Sequence, residues 1–159
     1  MQSSAPTNGS IPRSHPASRT ETQQDLVDPN QAEATERMLL VDDNNINLKV
    51  LSAFMGKLGR PYEVAVNGQQ ALETYTQSPG SFAGVLMDIS MPVMDGFEAT
   101  RQIRQFEHQH ELAATPIVAL TGLASHTAQQ EALESGVNLF LTKPVRFNTL
   151  SEALASLKI

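Results

Sequence analysis

The sequence predicts an α/β fold in which a five-stranded parallel sheet is covered by helices on both faces. Three observations predict it. Short apolar runs recur between Met38 and Leu141, and they are apolar throughout rather than alternating, as strands buried on both faces are. Stretches whose apolar residues return at helical spacing lie between the runs. Helix stops and turn formers, among them Gly59, Asn67, Ser78-Pro79-Gly80 and Gly136, punctuate the alternation.

Met38-Leu39-Leu40-Val41 is the first strand. The helix after it carries Leu51, Phe54, Met55 and Leu58 at i, i+3, i+4 and i+7, and Gly59 is placed to end it. Tyr62 to Val66 is the second strand. Asn67 caps a helix bearing Ala71, Leu72 and Tyr75, which stops near Ser78-Pro79-Gly80. Val85-Leu86-Met87 is the third strand, and Ala99, Ile103 and Phe106 give the next helix its inner face. Ile117-Val118-Ala119-Leu120, after Pro116, is the fourth strand. A short polar helix runs from about Ser125 to Ser135 and stops at Gly136. Leu139-Phe140-Leu141 is the fifth strand, and Phe147, Leu150, Leu154 and Leu157 form the stripe of the last helix. Five β-α units with right-handed crossovers fit the flavodoxin-like (βα)5 order 2-1-3-4-5, the shorter of two common solutions. In such sheets a ligand sits beyond the carboxyl ends of the strands, where the order reverses between strands 1 and 3.

The chain has 159 residues, room for one domain and a tail. The first 36 residues are rich in Ser, Thr, Pro, Gln and Asn, and Ile11, Leu26 and Val27 are their only sizeable apolar residues after Met1. Such a segment buries too little surface to offset its ordering entropy. Residues 1–35 are expected to be a disordered tail or linker, with a helix over Asp28 to Arg37 as an option, and 36–159 to be the folded domain. The first 36 residues hold five acidic and two basic residues, half of the net charge of −6. That charge argues against a nucleic-acid surface. The absence of cysteine excludes disulfides and thiolate chemistry. No apolar run approaches a membrane span and no secretory signal is visible, so a cytoplasmic setting is expected and Asn8-Gly9-Ser10 reads as a chance glycosylation match.

The strand ends carry chemistry. Strand 1 runs into Asp42-Asp43, strand 3 into Asp88, strand 4 into Thr121 and strand 5 into Lys143-Pro144. Singly these are turn formers, caps or solvated residues. Together they bring three carboxylates, a hydroxyl and an ammonium to one sheet edge. Crowded carboxylates repel, and a hard divalent cation removes that penalty; magnesium, with its preference for oxygen ligands, suits the site. One carboxylate can then act as a nucleophile toward phosphorus, with Lys143 and Thr121 supplying charge and a hydrogen bond to the transferring group.

Leu40-Val41-Asp42-Asp43-Asn44-Asn45-Ile46-Asn47, Leu86 to Gly96 (LMDISMPVMDG), Ile117 to Thr121 (IVALT) and Phe140 to Pro144 (FLTKP) resemble the receiver domain of two-component response regulators over residues 37–159. The resemblance implies that Asp88 is the phosphoacceptor. It implies that Asp43, Asp88 and the backbone carbonyl of Ser90 ligate Mg2+ (Mn2+ as a substitute), with Asp42 acting through water. Thr121 and Lys143 are implied as the phosphoryl-binding pair, and Phe140 as an aromatic that turns inward when Thr121 moves. A cis Lys143-Pro144 bond is also implied. Asp-Asp-Asn-x-x-Asn and Met94 to Arg104 (MDGFEATRQIR) are similar to receivers of hybrid sensor histidine kinases, and the polar lead-in resembles fungal linkers. The chain shows no kinase ATP box and no helix bearing a phosphorylatable histidine. The expectation is the tail of a hybrid kinase, with a stand-alone receiver as the alternative; neither is an enzyme beyond its own phosphorylation and dephosphorylation.

Rival readings are weaker. A phosphatase with an aspartyl nucleophile commonly carries an Asp two residues later, where this chain has Ser90. A nucleotide module needs a phosphate-cradling loop, and no Gly-x-x-x-x-Gly-Lys exists. A degenerate interaction domain would have lost one of the five site residues. His108, His110 and His126 read as solvated. The expected partners are a histidine kinase or a helical histidine phosphotransfer protein, docking on Ile46, Met91, Met94 and Pro144 around Asp88.

Overall fold

The computed structural model describes residues 37–122 and 125–159. The expected tail, and the optional helix before Arg37, lie outside the described residues. The elements are β1 (Arg37–Val41), α1 (Asn45–Lys57), β2 (Tyr62–Ala65), α2 (Gly68–Gln77), β3 (Phe82–Asp88), α3 (Gly96–Gln109), β4 (Ile117–Thr121), α4 (His126–Ser135), β5 (Leu139–Thr142) and α5 (Phe147–Ser156). The strands are parallel in the order β2-β1-β3-β4-β5, as expected. β3 begins three residues earlier than its apolar run, because Phe82 and Gly84 pair with Arg37 and Met38 of β1. Gly84 hides this in the sequence. A Cβ there would lie 2.8 Å from Ile159 Cδ1 and 3.0 Å from Met38 Cε, so those side-chain ends would have to shift.

Strand alternation sends successive side chains to opposite faces and builds two cores. Leu39, Val41, Val85 and Met87 face α2, α3 and α4 through Ala71, Tyr75, Ile103 and Ala132. Met38, Leu40, Leu86 and Leu120 face α1 and α5 through Leu51, Met55, Leu150 and Leu154. Each fully buried Leu or Met contributes about 1.5–3 kcal/mol, so the two cores hold the sheet edge as one rigid platform.

Local signals set the helix ends. Asn44, Asn67, Asp95 and Ser125 each accept a backbone N–H from the first turn that follows. Gly59 and Gly136 take left-handed φ of +64° and +103° just past α1 and α4. Asp95-Gly96 is more than a turn. Gly96 N–H donates to the Ile89 carbonyl at 2.9 Å, and a Cβ there would sit 2.2 Å from the Asp88 carbonyl oxygen. The start of α3 therefore closes directly onto the strand that ends at Asp88.

A buried polar network secures the opposite end of the sheet. Glu107 is 3% exposed, accepts from Tyr75 Oη at 2.7 Å and Thr115 N–H at 2.8 Å, and pairs with Arg104 at 2.8 Å. Arg104 also donates to the carbonyls of Thr115 and Gly136 and to Asn138 Oδ1. It thereby ties α3 to the starts of β4 and β5.

Candidate functional site

β1 and β3 are neighbours at the centre of the sheet, and both lead to aspartate at the same edge. Asp42, directly after β1, is fully buried; Asp88, the last residue of β3, is nearly so. Asp43 is exposed. Carboxylate oxygens of the three lie within 4.8 Å of one another, the only such acidic group found among the described residues. Neither Asp42 nor Asp43 caps α1. Asn44 does, and Asp42 Oδ1 accepts the Asn44 N–H at 2.9 Å, which fixes the Asp42 carboxylate at the strand end.

Lys143 closes the site from β5. Its backbone N–H donates to the Thr121 carbonyl at 2.7 Å, which ties the loop to β4. Its ammonium donates to Asp42 Oδ2 at 2.9 Å and Asp88 Oδ1 at 2.8 Å. The Lys143-Pro144 peptide bond is cis. Burial raises the Asp88 carboxyl above the usual carboxylate range; the Lys143 hydrogen bond opposes this, and the charges of Asp42 and Asp43 add to the rise. Burial pulls Lys143 down, but its hydrogen bonds and attraction to Asp88 and Asp42 outweigh that and hold the ammonium above its ordinary value. One ammonium thus pairs with two of the three carboxylates, and Asp43 is left without it. The all-oxygen donor set and its excess negative charge fit a hard divalent cation.

Thr121 is buried at the end of β4, next to Leu120, the register partner of Asp88. Phe140 pairs in register with Ala119, so its side chain lies on the sheet face that Ala119 and Thr121 share, half-buried against that core. Ser90 is exposed two residues after Asp88. Ile46, in the first turn of α1, is 72% exposed, Pro144 is exposed and Met94 is half-buried. Met91 corrects the expected docking set. Its apolar side chain turns into the core cluster of Ile89 and Phe97 and is not available to a partner.

Sequence reasoning passed over a cleft of about 120 Å³ beside the acidic group, lined by Asp42, Asn47, Val50, Lys143, Pro144 and Val145. The signal was Val50, apolar one residue before the buried Leu51 and 42% exposed. His108, His110 and His126 are exposed, and His110 packs on the Phe106 ring at 4.1 Å.

Residues 38–155 match the profile of the response regulator receiver domain. Hybrid signal transduction histidine kinase M of Dictyostelium discoideum is 41% identical over 120 residues, 76% of this chain but 5% of that protein. The chain spans 5% to 15% of the length of several such curated relatives. The receiver domain of Saccharomyces cerevisiae Ssk1, crystallised with the histidine phosphotransfer protein Ypd1, is similar with a TM-score of 0.71 and 37% identity, covering 77% of this chain and 88% of that one. The receiver domain of the Pseudomonas aeruginosa sensor histidine kinase PA1611, with magnesium coordinated in its active-site cleft, has a TM-score of 0.68 and 33% identity, covering 77% and 97%.

Proposed function

The chain belongs to the response regulator receiver domain family, and from that premise we propose that it takes a phosphoryl group from phosphohistidine onto Asp88 and passes it to a histidine phosphotransfer protein. The observation that carries this reading is the Asp88 carboxylate at the switch point of the sheet, with the Lys143 ammonium 2.8 Å away.

A carboxylate oxygen of Asp88 attacks phosphorus. The new P–O bond forms as the P–N bond to the donor imidazole breaks; the electron pair stays on that nitrogen, which takes a proton from solvent. The product is an acyl phosphate. Lys143, already on Asp88, is in reach of the oxygens that carry the transferring charge, and the Thr121 hydroxyl donates to another. Asp42, Asp43 and Asp88, with the Ser90 carbonyl, would hold Mg2+, or Mn2+ in its place. Bound there, the ion supplies positive charge that offsets both the carboxylates and the phosphoryl oxygens. Phe140, on the same sheet face as Thr121, would follow Thr121 when its hydroxyl turns to the phosphate.

Ile46, Met94 and Pro144 form the partner surface, and Pro144 also lines the cleft that exposes Val50. The chain is the receiver portion of a longer hybrid kinase, in line with the hybrid-kinase relatives of which it spans a small part. Its similarity to the Ssk1 receiver favours a second reading, a response regulator without kinase domains. Ile46→Asp tests the docking surface. It should slow phosphotransfer from Ypd1 about tenfold and leave labelling by acetyl phosphate intact. Equal loss of both reactions would assign Ile46 to the fold, and no loss of either would move the docking site elsewhere.

A further inference from the structure

β2 ends the sheet, with β1 on one side and no strand on the other. Three of the large apolar residues exposed among those described, Tyr62, Val64 and Val66, stand on β2 or directly after it. Tyr62 and Val64 pair in register with Met38 and Leu40, so they share the sheet face that α1 and α5 cover. Met38 and Leu40 are fully buried there, but Tyr62 and Val64 remain 42% and 45% exposed. The backbone of β2 is half used as well. The Pro61 and Ala65 carbonyls accept from the N–H groups of Met38 and Asp42 at 2.9 and 3.1 Å. By alternation the N–H and C=O groups of Tyr62, Val64 and Val66 point the other way, past the last strand. Gln70 Oε1 takes the Val66 N–H at 2.7 Å. Natural edges are blunted by lysine, proline or a bulge. β2 has none of these between Tyr62 and Ala65, and its one charge, Glu63, faces the other side of the sheet and pairs with Arg37.

Outward N–H and C=O groups on a strand edge are completed by another strand. This edge is complementary to itself. About a two-fold axis at Val64, in an antiparallel pair, Val64 lies opposite Val64 of a second copy and Tyr62 lies opposite Val66. Glu63 falls opposite Ala65, so no like charges meet. We infer that β2 is a self-association surface that joins two copies of this chain, edge to edge, into one ten-stranded sheet. The two Val64 residues exchange N–H···O=C bonds, and each Tyr62 N–H donates to the Val66 carbonyl across the axis. Gln70 keeps its own bond to Val66, and the two apolar stripes become one. The paired segment, Tyr62 to Val66, is only about 17 Å long. Its interface falls below the roughly 1,000 Å² of a stable complex, which makes the dimer weak, with a dissociation constant of about 0.1–1 mM. Asp88 ends β3, two strands in from this edge, so the inference stands apart from the phosphoacceptor reading.

The test uses the full chain. In sedimentation from about 10 µM to about 1 mM the wild-type mass should rise toward that of a dimer. Val64→Lys puts a charge on the edge, and Val64→Pro removes the N–H that the pair exchanges, at an edge position where proline is tolerated. Both should weaken association at least about tenfold and keep a folded circular dichroism spectrum. The chain has no cysteine, so single cysteines report the register. Facing residues of such a pair have Cα atoms about 5.5 Å apart, within reach of a disulfide. Mild oxidation of Val64→Cys should give a crosslinked dimer, whereas Glu63→Cys, off the axis and on the other face, should crosslink far more slowly. Exchange of the Tyr62 and Val64 amide protons should slow as wild-type concentration rises. A wild-type chain that stays monomeric at about 1 mM would overturn the inference. So would a dimer that survives both Val64→Lys and Val64→Pro, or equal crosslinking at positions 63 and 64. Slow amide exchange independent of concentration would assign the edge to the chain's own N-terminal segment and would overturn it too.

Discussion

Asp43→Asn separates the electrostatic cost of the site from its use. Carboxylate oxygens of Asp42, Asp43 and Asp88 lie within 4.8 Å of one another. Two unit charges at that distance repel by roughly 3.5 kcal/mol at an effective dielectric constant of 20 and by roughly 0.9 kcal/mol in water. Asp43 is exposed, so screening places its share near the lower figure, and Lys143 lies against the other two carboxylates rather than against Asp43. Replacing Asp43 by its neutral isostere should therefore stabilise the metal-free protein by about 1 kcal/mol, a rise of about 3–5 °C in melting temperature for a domain of this size. Magnesium reverses the order. At ten times its dissociation constant it adds about 1.4 kcal/mol to a native state that binds it. The wild type should gain that increment and Asp43→Asn should lose most of it. Thermal melts followed by circular dichroism, in EDTA and across a magnesium titration, read both effects. A variant less stable than wild type in EDTA, or one that keeps the full magnesium shift, would refute the reasoning.

Two further outcomes follow from the far end of the sheet. Arg104→Leu strands the nearly buried Glu107 carboxylate without its cation and should cost about 3–5 kcal/mol in urea unfolding, whereas Arg101→Leu, at the exposed pair with Glu98, should barely move the midpoint. Burial pushes the Tyr75 hydroxyl up to about 12, with the Glu107 charge adding to the rise. A folded-state value above the unfolded value of about 10 means that this contribution is intact below pH 10 and lost as pH rises through 12. Tyr75→Phe should be the less stable protein at pH 8, and should regain about 2–3 kcal/mol on wild type between pH 10 and 12 in unfolding titrations. A gap independent of pH would contradict the shift.

What the sequence made legible was what local rules control. Runs such as Met38 to Val41 and Ile117 to Leu120 are apolar throughout because both faces of a central strand are covered, and the structure covers them. Asn67 and Gly136 declared helix ends through their own backbone preferences. The candidate site residues were visible because each stands at the end of a strand or just past it, and the topology carries those strand ends to one edge. Features set by tertiary packing were not visible. Gly84 lies before the apolar run that marked the third strand, yet it is paired strand, close to the side chains of Met38 and Ile159. Met91 looked like a surface residue beside Met94, but the loop turns it inward. Glu107 lies in a polar-looking helix, and its burial depends on Tyr75 and Thr115 from other elements. The φ of Val93 depends on Gly68 and Gly96, which no local preference of valine reveals.

Incubation with acetyl phosphate and magnesium, followed by intact-mass analysis and peptide mapping, addresses the role of Asp88 most directly. The account predicts one acid-stable, base-labile phosphoryl group on Asp88, dependent on magnesium and absent from a folded Asp88→Asn variant. Full labelling of Asp88→Asn, or a phosphate mapped to another residue in the wild type, would contradict it.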